Sequence, residues 1–192
     1  MKIMRCKCLD FIYALTGPPG CGKTTAILKI VKYLSERNVV IDGMYTEEIR
    51  ISGKRVGFKV TRISSGEYGV MAHVEFKEKT RVGKYGVKIN VLEEIGVKAI
   101  IEGLEKAEVI VVDEVGPMEL YSNKFVVSVE KLLQSSKPSI LTVHFQARHP
   151  LVNSVKKLAG RKLFILTQEN RDKIPIQISE EILSHLKRSK NN

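Results

Sequence analysis

The 192-residue sequence predicts an α/β fold in which a mostly parallel sheet is flanked by helices. Two observations support this prediction. Short apolar runs of strand length alternate along the chain with segments whose apolar residues recur at helical spacing. In addition, the run VIVVDE (109–114) is nearly all apolar before its acids, which is typical of a strand covered on both faces. Chains that alternate in this way form parallel sheets with helices on both sides.

The first elements follow in order. DFIYALT (10–16) is a short apolar run that ends at a glycine, and it predicts a buried strand. From Thr24 the spacing becomes helical, and five apolar residues share one face: Ala26, Ile27, Ile30, Val31 and Leu34. VVIDGMYTEEI (39–49) predicts a second strand that leaves the core.

Residues 50–76 differ in character, because they combine glycine-marked turns with period-two alternation. They predict an antiparallel β excursion on the otherwise alternating chain. Two alternating sets are expected on opposite sides of one strand. They are Val70, Ala72, Val74 and Phe76 on one side and Met71, His73 and Glu75 on the other.

The second half continues the alternation. Asn90 with Glu93 three positions later predicts a helix start. The stripe of this helix is Leu92, Ile95, Ala99 and Gly103. After the strand at 109–114, the remaining elements are a helix marked by apolar residues from Phe125 to Leu133, strands at 139–145 and 162–167, and a last helix from Ser179 to Lys187.

Length and composition favour one domain spanning residues 1–192. No apolar run approaches the roughly 18 residues that span a bilayer, and the basic start MKIMRCKCLD lacks the apolar core of a signal peptide. We therefore expect a cytoplasmic protein with no membrane partner. The three sparse cysteines, Cys6, Cys8 and Cys21, are expected as reduced thiols without a zinc site.

The net charge of +11 admits a nucleic acid, an anionic lipid or a phosphate-rich ligand as partner. It also fits lysine-rich solvated faces, since the basic residues are spread along the chain and cluster only in the tail KRSKNN. We do not expect a nucleic-acid partner, and we expect a monomer.

The strongest motif is GPPGCGKTT, which fits G-x-x-x-x-G-K-[ST] between a predicted strand and a predicted helix. Glycines let the backbone curl so that its N–H groups point at phosphate oxygens, and the helix start adds a positive dipole end. Lys23 is expected to reach the β- and γ-phosphates, and the Thr24 hydroxyl to coordinate Mg²⁺. The nucleotide-binding candidates are Gly17, Pro18, Pro19, Gly20, Cys21, Gly22, Lys23, Thr24 and Thr25. The simpler alternative is a glycine turn that happens to carry Lys-Thr.

The second half of the predicted site is the end of VIVVDE. In proteins with such a loop, an acid at the end of a later apolar strand helps to hold Mg²⁺, and Asp113 fits this position. Glu114 is then available as a general base that accepts a proton from water. Without the loop, a helix cap or a surface acid would be the simpler interpretation of Asp113. Thr142 and His144 on a later strand are candidates for sensing the γ-phosphate, or else ordinary strand residues.

Six segments, in order, carry a resemblance to a known family: LTGPPGCGKTT, MYTEEIR with GKRVGFKV, RVGKYGV, VVDEVGPMEL, SILTVH and TQENRD. Over nearly its whole length, the chain resembles the small P-loop nucleoside-triphosphatases of thermophilic archaea and bacteria and of animals. The resemblance implies a RecA-like fold and Mg²⁺-dependent hydrolysis of ATP, GTP and other nucleoside triphosphates to diphosphate and phosphate, with broad base specificity. It also implies that Asp113, Glu114, Val115 and Gly116 line the nucleotide pocket. An arginine often follows the histidine of the fourth strand in this family, whereas Phe145 stands here, with Arg148 as a candidate replacement.

Three further segments have two interpretations each. For residues 46–48 (TEE), the two interpretations are a border of the γ-phosphate site and a solvated turn. For Arg81 and Lys84, they are stabilisation of transition-state charge and a basic turn. For Asn170, they are binding of the nucleotide base and capping of its own turn.

Three functions remain open from the sequence. A nucleoside-triphosphatase with Glu114 and Lys23 as catalytic residues is the leading one. A nucleotide or small-molecule kinase, with residues 50–76 as its lid, is the alternative. A nucleic-acid-dependent motor is the third, although no nucleic-acid-binding loop is evident.

Overall fold

The computed structural model describes residues 11–190. The strands are β1 (Ile12–Thr16), β2 (Ile41–Ile51), β3 (Lys54–Arg62), β4 (Tyr68–His73), β5 (Arg81–Val82), β6 (Tyr85–Val87), β7 (Val109–Val115), β8 (Ser139–Val143) and β9 (Leu163–Ile165). Within these residues they form one nine-stranded sheet, in the order β5-β6-β4-β3-β2-β7-β8-β1-β9.

The helices are α1 (Lys23–Ser35), α2 (Ile89–Val91), α3 (Lys98–Lys106), α4 (Asn123–Gln134), α5 (Pro150–Ala159) and α6 (Lys173–Lys190). A π-helical segment, Leu92–Val97, joins α2 to α3 without a break. No helix in the part of the chain described here combines the length and the apolarity needed to cross a membrane.

Five neighbouring strands, β2-β7-β8-β1-β9, are parallel, which confirms the predicted α/β fold with helices on both faces. Alternate residues of β1 enter apolar clusters on opposite faces of the sheet. Ile12 and Ala14 pack with residues of α3, α4 and α5, while Tyr13 and Leu15 pack with α1 and α6. Because parallel strands point the same way, β1, β7 and β8 end at one edge of the sheet, where the predicted motifs follow them.

The antiparallel part of the sheet is larger than the sequence predicts. The first half of β2 pairs with β7 in parallel, and its second half pairs with β3 antiparallel, from Met44 to Ile51. β4, β6 and β5 then extend this part as far as Val87. The excursion is therefore confirmed as antiparallel, but the predicted bounds of 50–76 are too short at both ends. RVGKYGV forms a tight hairpin whose Gly83 has a φ of 57°.

The predicted alternation along residues 70–76 is wrong. Phe58 pairs with Ala72, but the next residue, Lys59, pairs with Val70, so Met71 is an extra residue in β4. This bulge buries Met71 and Ala72 together. The strand ends at His73, which leaves residues 74–76 outside it.

Two helix predictions also need correction, and one helix was not predicted. Helix α5, which the sequence analysis does not identify, begins at Pro150 after an N-cap at His149. Helix α6 begins at Lys173 rather than Ser179, because the first turn of a helix tolerates Pro175. Glu93 does not cap its own helix, since its carboxylate accepts hydrogen bonds from Ser122 and Lys124 of another segment.

Candidate active site

The loop between β1 and α1 curls tightly. Gly20 and Gly22 have φ values of 78° and 100°, in the left-handed region that favours glycine. A Cβ atom at Gly17 would lie 2.7 Å from the carbonyl oxygen of Leu166, so this close approach also requires glycine. Helix α1 follows with Gly22 as its N-cap and no acid in its first turn. Since Gly22 has no side chain to accept hydrogen bonds from the first N–H groups of the helix, these groups and the positive end of the helix dipole suit an anionic ligand.

Asp113 lies at the carboxyl end of β7 and is 1% exposed. Thr142 on the neighbouring strand β8 donates a hydrogen bond from its hydroxyl to Oδ1 of Asp113. Oδ2 is buried, and no described residue supplies it with a hydrogen bond. Burial raises the pKa of Asp113 to about 6, although the hydroxyls of Thr142 and Thr24 favour its ionised form. A buried carboxylate with one unpaired oxygen is suited to a bound cation.

Glu114 faces the lysine of the loop. Lys23 Nζ lies 3.7 Å from Glu114 Oε1 and donates a hydrogen bond to the carbonyl oxygen of Gly17 at 3.3 Å. Oε1 of Glu114 is buried and lacks a hydrogen-bond partner in the described part of the chain. Burial raises the pKa of Glu114, and Lys23 opposes this rise. The pair therefore offers an ammonium and a carboxylate whose hydrogen-bonding capacity is not used up by the protein.

A third carboxyl group lies beside the loop after β7. Glu119 is 6% exposed. Burial raises the pKa of Glu119 to about 8, and the charges of Glu114 and Asp113 raise it further, while backbone hydrogen bonds at Glu119 and Gly116 oppose the rise. A Cβ atom at Gly116 would lie 3.1 Å from Glu119 Oε2. The glycine of GPMEL thus lets the loop pack closely onto this carboxyl group.

His144 follows β8 at the same edge. Its Nδ1 accepts a hydrogen bond from the backbone N–H of Gln146 at 3.3 Å. Burial lowers the pKa of His144, and the charges of Lys23 and Lys156 lower it further. The imidazole is therefore neutral at pH 7, and it is available as a polar contact rather than as a cation.

These groups border one cavity of about 900 Å³, a size typical of ligand pockets. The loop side is formed by Pro19, Gly20, Gly22, Lys23, Thr24 and Thr25. The edge of the parallel sheet contributes Asp113, Glu114, Pro117, Met118, Glu119 and His144. The remaining lining belongs to the antiparallel strands and includes Thr46, Glu47, Glu48, Arg50, Arg55 and Tyr85. We call this last set the antiparallel wall.

A sequence model of the protein family described as NTPase matches residues 12–179, which include the loop, the end of β7 and the antiparallel wall. The chain belongs to this NTPase family. The match confirms the family resemblance that the six sequence segments indicate.

Relatives from this family are similar over nearly their whole length. The nucleoside-triphosphatase THEP1 of Thermofilum pendens is 42% identical over 173 residues, which cover 90% of this chain and 95% of the relative. The protein of the same name from Thermotoga petrophila is 43% identical over 180 residues, which cover 93% and 95% of the two chains.

Two solved structures of family members are also similar. The crystal structure of THEP1 from Aquifex aeolicus gives a TM-score of 0.78 at 33% identity, covering 88% of this chain and 98% of that one. The solution structure of a human cancer-related nucleoside triphosphatase gives a TM-score of 0.71 at 32% identity, covering 90% and 97%. The α/β fold is therefore shared with both.

Most residues predicted for the site lie together. From the loop, Pro19, Gly20 and residues 22–25 meet Asp113, Glu114, His144 and residues 46–48 at the cavity, whereas Gly17, Pro18 and Cys21 do not line it. Thr142 instead lies behind Asp113 and holds its carboxylate. The side chain of Val115 is fully buried in the core and does not line the cavity. Gly116 is buried behind the cavity lining, next to Glu119.

Two predicted residues are engaged in their own turns. Asn170 Oδ1 accepts a hydrogen bond from the N–H of Thr167 at 2.8 Å, and its Nδ2 donates to the carbonyl oxygen of Ile165 at 2.9 Å. The guanidinium of Arg81 donates to the carbonyl oxygens of Phe76 and Lys84 at 3.0 and 2.8 Å. These contacts favour the capping interpretation of Asn170 and the structural interpretation of Arg81. The roles suggested for Lys84 and Arg148 stay predictions.

Sequence reasoning missed Glu119, Arg55 and Tyr85. Glu119 lies in GPMEL, a segment that marked the family, and its spacing from Asp113 gave no sign of a shared pocket. Arg55 and Tyr85 are 30 residues apart and meet only through the pairing of β3, β4 and β6. No local pattern encodes this pairing.

Proposed function

We propose that the protein is a Mg²⁺-dependent nucleoside-triphosphatase that hydrolyses ATP, GTP and other nucleoside triphosphates to diphosphate and phosphate. One observation carries the proposal. Lys23, Asp113 and Glu114 line one cavity beside the start of α1, and both acids have a buried oxygen without a hydrogen-bond partner among residues 11–190. The names of the similar relatives, which are nucleoside-triphosphatases, support the same activity.

The phosphates would bind at the loop from Gly17 to Thr25, in a RecA-like P-loop arrangement within one domain. Backbone N–H groups of the loop and the dipole of α1 favour this placement, because both attract anions. Lys23 would contact the β- and γ-phosphates. Asn170 uses both polar atoms of its amide within its own turn. This supports weak discrimination between nucleotide bases and hence broad specificity.

Mg²⁺ fits the oxygen donors at one corner of the cavity. Oδ2 of Asp113 accepts no hydrogen bond from the described part of the chain, and the Thr24 hydroxyl lowers the pKa of Asp113. Carboxylate, hydroxyl and phosphate oxygens are the ligands that Mg²⁺ prefers. Thr24 and Asp113 would therefore hold the cation, whose charge would offset that of the phosphates.

Glu114 would activate the attacking water. The water oxygen bonds to the γ-phosphorus while its proton passes to the Glu114 carboxylate, and the bond from the γ-phosphorus to the bridging oxygen breaks to release the diphosphate. Burial raises the pKa of Glu114, which makes its carboxylate a stronger base than an exposed one. Lys23 stabilises the negative charge that develops on the phosphoryl oxygens.

A kinase would transfer the same phosphoryl group to an acceptor molecule and would need a lid that closes over it. The segment considered for that lid is continuous with the central sheet through β2, which supports a fixed wall instead. Phosphate release from Mg·ATP without any acceptor separates the two activities. Release that required an added acceptor would overturn our proposal.

We predict that Glu114→Gln keeps nucleotide affinity but lowers kcat by about 10²–10⁴-fold, because the general base is lost. Lys23→Ala should weaken binding and turnover together. Glu94→Gln, at an exposed glutamate outside the cavity, is the matched control and should turn over normally. Normal kcat in the Glu114 variant would refute its assignment as the base. Steady-state phosphate release and binding of a non-hydrolysable analogue provide the measurements.

A further inference from the structure

The antiparallel wall carries an ion-pair cluster that the proposed hydrolysis does not use. Glu48 Oε1 accepts a hydrogen bond from Arg55 Nη1 at 2.7 Å, and Glu48 Oε2 accepts one from Arg50 Nε at 2.9 Å. The hydroxyl of Tyr85 accepts a hydrogen bond from Arg55 Nε at 3.0 Å. All four residues line the cavity that Lys23 also lines. We call Glu48, Arg50, Arg55 and Tyr85 the Arg55 cluster.

The Arg55 cluster has a net positive charge, because two guanidinium groups share the single carboxylate of Glu48. Burial alone would raise the pKa of Glu48, but hydrogen bonds from Arg55 and Arg50 lower it overall, so the carboxylate stays ionised at neutral pH. Glu47, the adjacent acid on β2, forms its ion pair with Lys59 at 2.9 Å and does not balance this charge. The excess positive charge faces a cavity suited to polyphosphate.

The two arginines of the cluster are held differently. Arg50 donates from Nε and Nη2 to Glu48, and from Nη1 to the carbonyl oxygen of Gly53 at 2.8 Å, so its fork is occupied. Arg55 uses only Nε and Nη1, and its Nη2 has no hydrogen-bond partner among residues 11–190. The rings of Phe58 and Tyr85 lie 5.2 and 5.8 Å from its guanidinium carbon. Arg55 is thus held in place while the N–H groups of its Nη2 remain available to a ligand.

We propose that Arg55 is a catalytic residue that donates from Nη2 to the γ-phosphoryl group and stabilises its charge during hydrolysis. Glu48 and Tyr85 are its positioning residues. Lys23 reaches the triphosphate from the loop, and Arg55 reaches it from the sheet. Arg55 thereby stabilises charge on the transferring phosphoryl group, as an arginine finger does in other phosphoryl-transfer enzymes. The planar fork of arginine suits phosphate oxygens better than an ammonium group does. This inference rests on the proposed placement of the triphosphate.

The test compares Arg55→Ala and Arg55→Lys with the unmodified chain in Mg·ATP hydrolysis. Arg55→Ala should lower kcat by about 10²–10³-fold, as loss of one oxyanion donor does, while KM changes by less than about threefold. The variant should also fail to bind ADP together with aluminium fluoride, which mimics the transferring phosphoryl group. Arg55→Lys should recover only part of kcat. A kcat for Arg55→Ala within about threefold of the unmodified value would overturn the inference.

Three controls separate the possible explanations. Lys54→Ala removes an exposed cation from the same strand outside the cavity lining, and it should leave kcat unchanged. Arg50→Ala removes the other guanidinium of the cluster, and a loss as large as that of Arg55→Ala would assign the effect to the ion pairs and overturn our assignment. Added guanidinium should restore part of the turnover of Arg55→Ala. If that variant does not fold, Arg55→Lys with intact kcat and intact binding of ADP with aluminium fluoride would equally refute the proposal.

The Lys23→Ala variant distinguishes failure of this inference from failure of the proposed function. Loss of nucleotide binding in Lys23→Ala, with normal turnover in Arg55→Ala, would leave the phosphate site in place and remove only the role of Arg55. Normal binding in Lys23→Ala would remove the phosphate site itself.

Discussion

Three carboxyl groups lie at the edge of the parallel sheet, and Lys23 is the cation paired with one of them. Burial raises the pKa of Asp113, of Glu114 and of Glu119. In each case the folded protein disfavours the charged form, so these residues oppose folding when they ionise. Such an arrangement is expected where a cation and a reacting water are to be bound, because the cost is recovered when the ligands arrive.

Glu119 allows a direct measurement of this cost. Its pKa of about 8 lies above the ordinary 4.5, so the folded protein keeps a proton that the unfolded chain has lost between these values. The free energy of unfolding should therefore fall as the pH rises from about 4.5 to 8. Glu119→Gln cannot ionise, and we predict that it gains on the order of 1–3 kcal/mol over the unmodified protein at pH 9, with little gain at pH 5. Denaturant unfolding with a chelator present measures both.

Glu93→Gln supplies a control of opposite sign. The hydrogen bond from Lys124 lowers the pKa of Glu93. Its carboxylate therefore contributes stability that is present above the ordinary pKa and is lost as the pH falls. Glu93→Gln should lose stability at neutral pH. An equal pH slope for Glu119→Gln and the unmodified chain would contradict the buried, protonated state assigned to Glu119.

At the scale of elements, the decisive contact is that between β2 and β7, since it joins the parallel and antiparallel parts of the sheet. Gly43 lies in this contact with a φ of 122°, and a Cβ atom there would come within 2.0 Å of the carbonyl oxygen of Val111. Any larger residue must push the two strands apart.

We predict that Gly43→Ala lowers the free energy of unfolding by about 2–4 kcal/mol, because the clash adds to the strain of a left-handed backbone. Gly53→Ala is the matched control. Gly53 has a φ of 76° with nothing within 4 Å of its Cβ position, so its substitution should cost about 1–2 kcal/mol from backbone strain alone. Denaturant unfolding of both variants measures the difference. Equal costs would argue against the close approach at Gly43.

The elements that the sequence predicts well are those whose cause is local. The glycine loop before α1 and the apolar run of β7 each carry their signal within a few residues, so the sequence could place this loop, Asp113 and Glu114 in one candidate site. The Arg55 cluster could not, since Glu48, Arg55 and Tyr85 meet only through three successive strand pairings. The bulge at Met71 is also non-local, because it depends on the register of β3 against β4. Helix α5 has local signals, namely the N-cap at His149 and Pro150 at its first turn, that the sequence analysis overlooked.

At the scale of the whole molecule, the charge of +11 raises the question of nucleic acid. Within the described residues, several basic side chains pair with acids, among them Arg62 with Asp42 and Lys29 with Asp172. We predict that phosphate release at about 0.15 M salt changes by less than about twofold when DNA or RNA is added, because unspecific attraction is screened. Polyglutamate serves as a polyanion control. Saturable stimulation by nucleic acid, without stimulation by polyglutamate, would favour a nucleic-acid-dependent motor.

The continuity of β2 has a consequence for the access of water to the cavity. One strand runs from the hydrogen bonds with β7 into those with β3, so the antiparallel wall cannot swing as a hinged cover without breaking sheet pairing. Enzymes that deliver a phosphoryl group to a chosen acceptor close such a cover to keep bulk water from competing. A wall fixed in this way would not give the proposed triphosphatase that protection, and water would then be the acceptor by default.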